Sequence, residues 1–341
     1  MPLGKNYRIS LFGESHGKCI GVLIEGCPPG VQINEGEIQK ELEKRRPGAS
    51  RLATGRNEKD GMEFLSGIFQ GRASGAPICA IIRNEDVDSS PYKKIKDTPR
   101  PSHADYTAHV RYKGFNDYRG GGIFSGRLTA GWMVAGALAK KMLFEKGISI
   151  ASEIIRVGGS REKREFAFII QEAKEKGDSV SGEVFCRIEG VPAGIGTPHF
   201  GALDALLAHA MFCIPAVKGV EFGSTKNYGS QNNDAYYFDA KGNVRARPNN
   251  SGGILGGIST GMPIEFTVKI KPTASIAIEQ DTVNLKTKKN AKIKIEGRHD
   301  ACIALRAAPV VGAAAACVIL DGMLAEGKIK AGKRGQKHGK S

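Results

Sequence analysis

Three histidines stand in company that suits proton chemistry. His16 lies in GESHG (13–17), His103 in RPSHADYT (100–107) beside Arg100 and Asp105, and His299 in GRHDAC (297–302) between Arg298 and Asp300. Imidazole changes charge near pH ~6.5, so modest surroundings make it a proton donor or acceptor. GESHG also fits G-x-S-x-G, in which Ser15 would be a nucleophile on a strand-to-helix turn. That reading needs a sheet built before the turn and a helix after it. Only twelve residues precede Gly13, and residues 17–26 are Gly-interrupted and then β-branched, which predicts a second strand. The stretch therefore reads as a polar hairpin corner between strands over 7–12 and 22–25. The other two motifs also have plain uses: Ser102 or Asp105 can cap a local turn, and Asp300 can cap a helix. His209 sits in an apolar helical pattern and reads as a packed core histidine, and His109 and His199 have no special company.

Anion-binding features accompany the histidines. DYRGGGIFSGR (117–127) sets three glycines between Arg119 and Arg127 at the start of a helical pattern. Glycine backbone amides and a helix N-terminus together suit a negative group. Neither the phosphate-loop nor the dinucleotide glycine spacing occurs, so ATP and Rossmann readings lack support. NNSGGILGGISTG (249–261) is a second Gly-rich loop, and 271–275 is a hydroxyl-bearing turn after a strand. None of these supplies metal-ligand spacing. The net charge is +15, part of it in the tail over 327–341, which predicts disorder. The remaining excess is scattered beside Gly and Pro rather than lined along one helix face with aromatics. An anionic small molecule fits better than nucleic acid, because arginine forks pair with phosphate and carboxylate.

Elements must bring these pieces together. The chain has 341 residues, 40% of them hydrophobic and 45 of them glycine. Helical patterns run over 35–46 with Asn34 as cap and Glu37 three residues on, and over 126–146 with Ser125 as cap. Others run over 163–176, 201–212 and 303–325. Alternation and β-branching predict strands over 62–69, 77–83, 182–189, 263–271 and 291–296. Seven cysteines with no C-x-x-C point to a reduced, cytoplasmic chain without structural zinc. No apolar run approaches the ~20 residues of a membrane span, residues 309–320 read as a buried helix, and the N-terminus lacks a signal-peptide pattern. Two stretches repeat in the same order: IEGCPPG (24–30) as IEGVPAG (188–194), and GRASGAPI (71–78) as GISTGMPI (257–264). The repeats predict one domain over 1–326 made of two similar halves, about 1–150 and 151–326. Each half would end in a long small-residue helix, with sheets covering a helical layer about a pseudo-twofold axis.

The ordered set of motifs resembles the chorismate synthase family. FGESHG, EGCPPG, RRPG-x-x-R, RPSHADYT, DYRGGG, SGR, VPAG-x-G, AVKGVEFG, SGGILGGISTG, KPTAS and GRHDAC follow one another between about Arg8 and about Asp321. The resemblance implies an α+β fold, a β-α-β sandwich with a central helical layer between antiparallel sheets, in a chain usually assembled as a homotetramer. It implies a 1,4-anti elimination of phosphate from 5-enolpyruvylshikimate 3-phosphate to give chorismate. That reaction requires reduced FMN without net redox change. It implies catalytic roles for His16 near the leaving phosphate, for His103 toward the flavin, and for Asp300 in hydrogen transfer. FMN contacts map to Ile123, Phe124, Ser125, Pro215, Ala216, Gly256, Lys271, Pro272, Thr273, Ala274, Ser275 and Arg298. Arg45 and Arg51 fall where the family contacts nicotinamide or an anion, and with Arg100, Arg119 and Arg127 they are expected on the substrate's acidic groups.

Departures from the commoner family pattern are local. Ile123-Phe124-Ser125-Gly126-Arg127-Leu128 stands where many relatives carry Arg-Ser-Ser-Ala-Arg-Glu. Pro215 replaces a more usual Asn and Ala274 a more usual Ser. No nicotinamide domain is added, which points to an external flavin reductant. The competing readings are a flavin oxidoreductase that reduces its substrate outright and, from the charge, a nucleic-acid-binding protein; membrane attachment is not expected.

Overall fold

The structure is a computed structural model that describes residues 2–46, 60–85, 88–295 and 299–329. The basic tail from residue 330 onward lies outside the described residues.

The chain begins with the hairpin that the glycine-interrupted pattern predicts. β1 (Arg8–Gly13) pairs antiparallel with β2 (Cys19–Glu25), so a strand and not a helix follows Ser15. After α1 (Glu35–Glu43) come β3 (Met62–Ser66) and β4 (Ile78–Arg83), giving a sheet of order β1-β2-β4-β3. α2 (Ser90–Ile95), α3 (Asp105–Arg111) and α4 (Thr129–Phe144) close this half. β5 (Ser149–Val157), α5 (Phe166–Glu175), β6 (Gly182–Glu189), α6 (Leu203–Phe212), β7 (Val217–Phe222) and β8 (Ile264–Ile270) follow, then α7 (Ala304–Ala325). The second sheet has the order β5-β6-β8-β7, the same path as the first. The echoed motifs fall at matching points: Ile24 at the end of β2 pairs Ile78 opening β4, and Ile188 at the end of β6 pairs Ile264 opening β8.

Local chemistry accounts for the helix starts. The side chain of Asn34 accepts from the backbone of Glu37 at 3.2 Å and donates to its carboxylate at 3.1 Å, a reciprocal cap. α1 stops at Glu43, three residues short of the sequence expectation. Ser125 caps a 3₁₀ turn over Gly126–Leu128 by accepting from the backbone of Arg127 at 3.3 Å, and α4 continues from it. Strands β5 and β7, helices α2 and α3 and the hairpin Ala235–Phe238/Val244–Arg247 carry weak patterns and are additions to the sequence reading.

α4 and α7 pack on each other between the two sheets, α4 against β2 and α7 against β5 and β6. Small residues permit this crossing: a Cβ on Gly136 would sit 2.4 Å from Cβ of Ala313. α7 is long and apolar enough by composition to cross a membrane, contrary to the sequence expectation, yet 72% of its most apolar window is buried inside the protein. His209 also departs from expectation, since its side chain is exposed on α6.

The chain's beginning is tied to α7. Asp321 accepts backbone hydrogen bonds from Lys5 at 3.0 Å, Asn6 at 2.5 Å and Tyr7 at 2.8 Å, while the buried Tyr7 hydroxyl donates to the carbonyl of Ala135 at 2.9 Å. Asp321→Ala removes a charged acceptor shared by three amides. It is expected to lower stability by about 2 kcal/mol, partly relieved where Lys5 and Asn6 reach water. A denaturation midpoint equal to that of the wild type would contradict this.

Candidate active site

A cavity of about 670 Å³ opens between the segments around α2 to α4 and those around α6, β8 and α7. Its walls come from α2, the glycine loop before α4, the end of α6, the turn after β8 and the start of α7. Phe212, Ile214, Ile303 and Val310 give it an apolar side. Arg45, Arg100, Arg127, Lys218, Lys271 and Arg306 line it against two carboxylates, Asp88 and Asp300. Two further acids, Asp60 and Asp105, stand behind the wall. Even with these the charge is cationic among the described residues, which suits a ligand with an apolar body and several acidic groups.

His103 is held from the turn that precedes α3. Asp105 takes Arg100 in a two-pronged pair, at 2.7 Å to Nε and 2.8 Å to Nη2, and also lies 2.6 Å from His103 Nδ1. The local capping use is present too, because the same carboxylate accepts from the Arg100 amide at 3.0 Å. The sequence left these uses as alternatives, and one side chain performs both. Arg100 continues to Ser275 Oγ at 3.0 Å, joining the first half to the turn after β8. Burial, with Arg100 and Lys271 nearby, holds the His103 pKa below its usual value against the opposing pull of Asp105. The neutral ring therefore dominates at neutral pH when no anion is bound. Arg100 holds the Asp105 carboxyl far below the usual range, despite burial.

His16 is buried one layer behind the wall. Its Nδ1 meets Ser89 Oγ at 2.9 Å, and its ring stands edge-on to Tyr92 with centroids 5.1 Å apart. Tyr92 lines the cavity and carries the Arg100 guanidinium over its ring, 5.6 Å from the centroid. The triple glycine separates the two imidazoles. Gly120 has φ +58°, and a Cβ there would fall 2.4 Å from His16 Nε2; Gly121 has φ +86°, and a Cβ there would fall 3.2 Å from His103 Nε2. Consecutive glycines thus face the two histidines, a use beyond the backbone anion site read from sequence. Ile123 and Phe124 line the cavity, and Phe124 leans on Tyr112 at 6.3 Å between centroids, so this variant stretch forms an apolar wall.

Two ion networks brace the floor. Arg45 and Arg127 are buried and share Asp60: Arg45 at 3.5 Å, Arg127 in closer contact. Arg45 also donates to Thr129 Oγ1 at 2.7 Å, and Arg127 to Asn84 Oδ1 at 3.1 Å. Asp300 is not a helix cap. Its Oδ2 pairs Arg306 at 3.0 Å, while its carbonyl accepts from Thr273 Oγ1 at 2.6 Å, fixing the 271–275 turn beside it. The expected contacts at Ser125, Pro215, Ala216, Lys271, Pro272, Thr273, Ala274 and Ser275 all line the cavity. Gly256 does not: it is exposed at the tip of the hairpin Ile254–Leu255/Ile258–Ser259. Arg119 does not line it either, and both its prongs bind Asp117 at 2.8 Å. Arg51 and Arg298 lie outside the described residues. Tyr92, Lys218 and Arg306 are lining residues that sequence reasoning missed. Arg306 alone had a legible signal, lying six residues beyond Asp300 in the first turns of a helix.

Comparison with known proteins agrees with this geometry. A family profile described as chorismate synthase matches residues 7–324. Chorismate synthase of Dehalococcoides mccartyi is 45% identical, with 96% of this chain and 97% of that protein covered. That of Methanothermobacter thermautotrophicus is 43% identical, with 96% and 94% covered. A solved structure described as "Crystal Structure of Chorismate Synthase" superposes with a TM-score of 0.73 at 28% identity, covering 95% of this chain and 93% of that one. Matches spanning both sheets and every cavity-lining segment mean that this chain belongs to the chorismate synthase family, which are carbon–oxygen lyases.

Proposed function

We propose that this chain eliminates phosphate from 5-enolpyruvylshikimate 3-phosphate to give chorismate, in the shikimate pathway, with reduced FMN bound in the cavity. The observation that carries the reading is the common cationic cavity, with His103 and Asp300 on its wall and His16 behind Tyr92 and Gly120. The donor set fits a flavin: Phe212, Ile214 and Val310 suit the ring, and Lys218 and Lys271 an electron-rich or phosphorylated group. Reduced flavin would lend an electron to the breaking C–O bond and recover it with the hydrogen. Arg45, Arg100, Arg127 and Arg306 bind and orient the substrate's acidic groups and exclude water from them. His16, as imidazolium behind Tyr92 and Gly120, would offset charge growing on the departing phosphate. Asp300, held by Arg306, accepts the proton side of the hydrogen transfer. His103, on the cavity wall, would hold or pass a proton to bound flavin. Anion binding beside Arg100 and Lys271 would offset their share of the lowering of the His103 pKa, while burial, the larger cause, would still favour the neutral ring.

The two halves, 1–150 and 151–326, are read as copies of one unit within a single domain, and a homotetramer as the working assembly. Seven unpaired cysteines suit a reducing, cytoplasmic setting. An external reductant would supply the flavin. Under anaerobic conditions with chemically reduced FMN, the protein is expected to release chorismate and phosphate in equal amounts while the flavin stays reduced. Consumption of one reduced flavin per turnover would instead favour outright reduction of the substrate.

A further inference from the structure

The two histidines that flank the glycine loop are held by the same ring nitrogen but by different chemistry. His103 Nδ1 meets a carboxylate oxygen of Asp105 at 2.6 Å, whereas His16 Nδ1 meets the Ser89 hydroxyl at 2.9 Å. A hydroxyl donates or accepts, so that contact imposes no tautomer on His16. An ionised carboxylate only accepts, so His103 Nδ1 must carry a hydrogen. Arg100 Nη2 also lies 3.2 Å from that nitrogen, and two donors sit side by side there because both point at Asp105 Oδ1. The other ring nitrogen, Nε2, is on the side of Gly121, which with Gly120 separates it from His16.

We propose that Asp105 is a positioning residue that fixes neutral His103 as the Nδ1–H tautomer, leaving Nε2 as the atom that takes and returns a proton in the cavity. The consequence for turnover rests on the role given to His103 above; the tautomer itself does not. The charged groups that face His103 are Asp105 and Arg100 from its own turn and Lys271 from the turn after β8. Of these only Asp105 can hold the Nδ1 hydrogen, since both others are donors.

Asp105→Asn tests this with an inversion rather than a loss. Oδ2 of Asp105 serves two donors fixed by the chain, Arg100 N at 3.0 Å and Arg100 Nε at 2.7 Å. The amide oxygen belongs there, which turns the new NH₂ toward His103 Nδ1. A donor opposite Nδ1 requires the lone pair at Nδ1 and the hydrogen at Nε2. Imidazole ¹⁵N NMR of the full chain at neutral pH, without flavin or substrate, is expected to show the Nδ1–H form of His103 in the wild type and the Nε2–H form in the variant. Ser89→Ala is expected to leave the His103 signals unmoved. An Nε2–H ring in the wild type, or an unchanged tautomer in folded D105N, overturns the proposal, and the wild-type measurement decides even where the variant fails to fold. With reduced FMN, kcat of D105N is expected to fall ~10²–10⁴-fold with a smaller change in KM, because Arg100 keeps two of its bonds to residue 105. An inverted tautomer with normal kcat would sustain the assignment of Asp105 and overturn the role given to His103.

Discussion

Alanine in place of His103 is expected to lower turnover by ~10²–10⁴-fold, the usual scale for losing a positioned acid or base, while leaving the fold intact. The ring lies at the cavity wall rather than in the α4–α7 core, so its removal opens space next to Gly121 without breaking a layer. Asp105 and Arg100 keep their two-pronged pair, and Arg100 keeps Ser275. Substrate affinity should therefore change less than kcat. The pH profile separates this from a binding defect. Burial and the nearby cations place the folded His103 below its usual pKa, so the unfolded chain binds more protons there. Stability that depends on this group accordingly rises as pH rises through about 6.5. His103→Ala should be less destabilised than the wild type on acidification through that window. Wild-type turnover in the variant would remove the proton role. An unchanged acid dependence of stability would remove the account of its neutrality.

Much of this arrangement was legible as residue types and little of it as geometry. The eight sheet strands include six that alternation or β-branching marks, and the two repeated motifs fall where Ile24 pairs Ile78 and Ile188 pairs Ile264 in the two sheets. The strands at 149–157 and 217–222 were missed. Both are sheet edges with many partly exposed residues, so their apolar alternation is diluted. α2 escaped for a related reason: none of its residues is buried, so no apolar stripe shows, yet it supplies Tyr92 to the cavity. Arg119 shows the limit of reading chemistry from composition. It sits beside three glycines, as an anion ligand would, but Asp117 two residues earlier captures it, and that pairing holds the Asp117 carboxyl below the usual range. Arg45 and Asp60 lie 15 residues apart and meet only because α1 and β3 bring them under α4.

Gly120→Ala is expected to be as damaging to turnover as losing His16 itself, about 10²-fold or more. Two separate demands meet at this position. The backbone is left-handed, which costs an alanine about 1–2 kcal/mol. The added methyl would also lie 2.3 Å from Cδ2 and 2.4 Å from Nε2 of His16, and 3.0 Å from Ser15 Oγ. The ring cannot simply withdraw, because Tyr92 stands across its edge and Ser89 holds Nδ1. Either the imidazole leaves Ser89 or the loop moves, and a moving loop carries Gly121 away from His103 as well. Both responses displace a proposed proton carrier by about the width of a methyl, enough to spoil proton transfer. Gly229→Ala meets open space and ordinary backbone and serves as the comparison, with near-native kcat. A fall in thermal midpoint without a fall in kcat would show that the loop absorbs the methyl away from the histidines. Native kcat together with unmoved His16 NMR signals would show that the glycine does not set the imidazole's place.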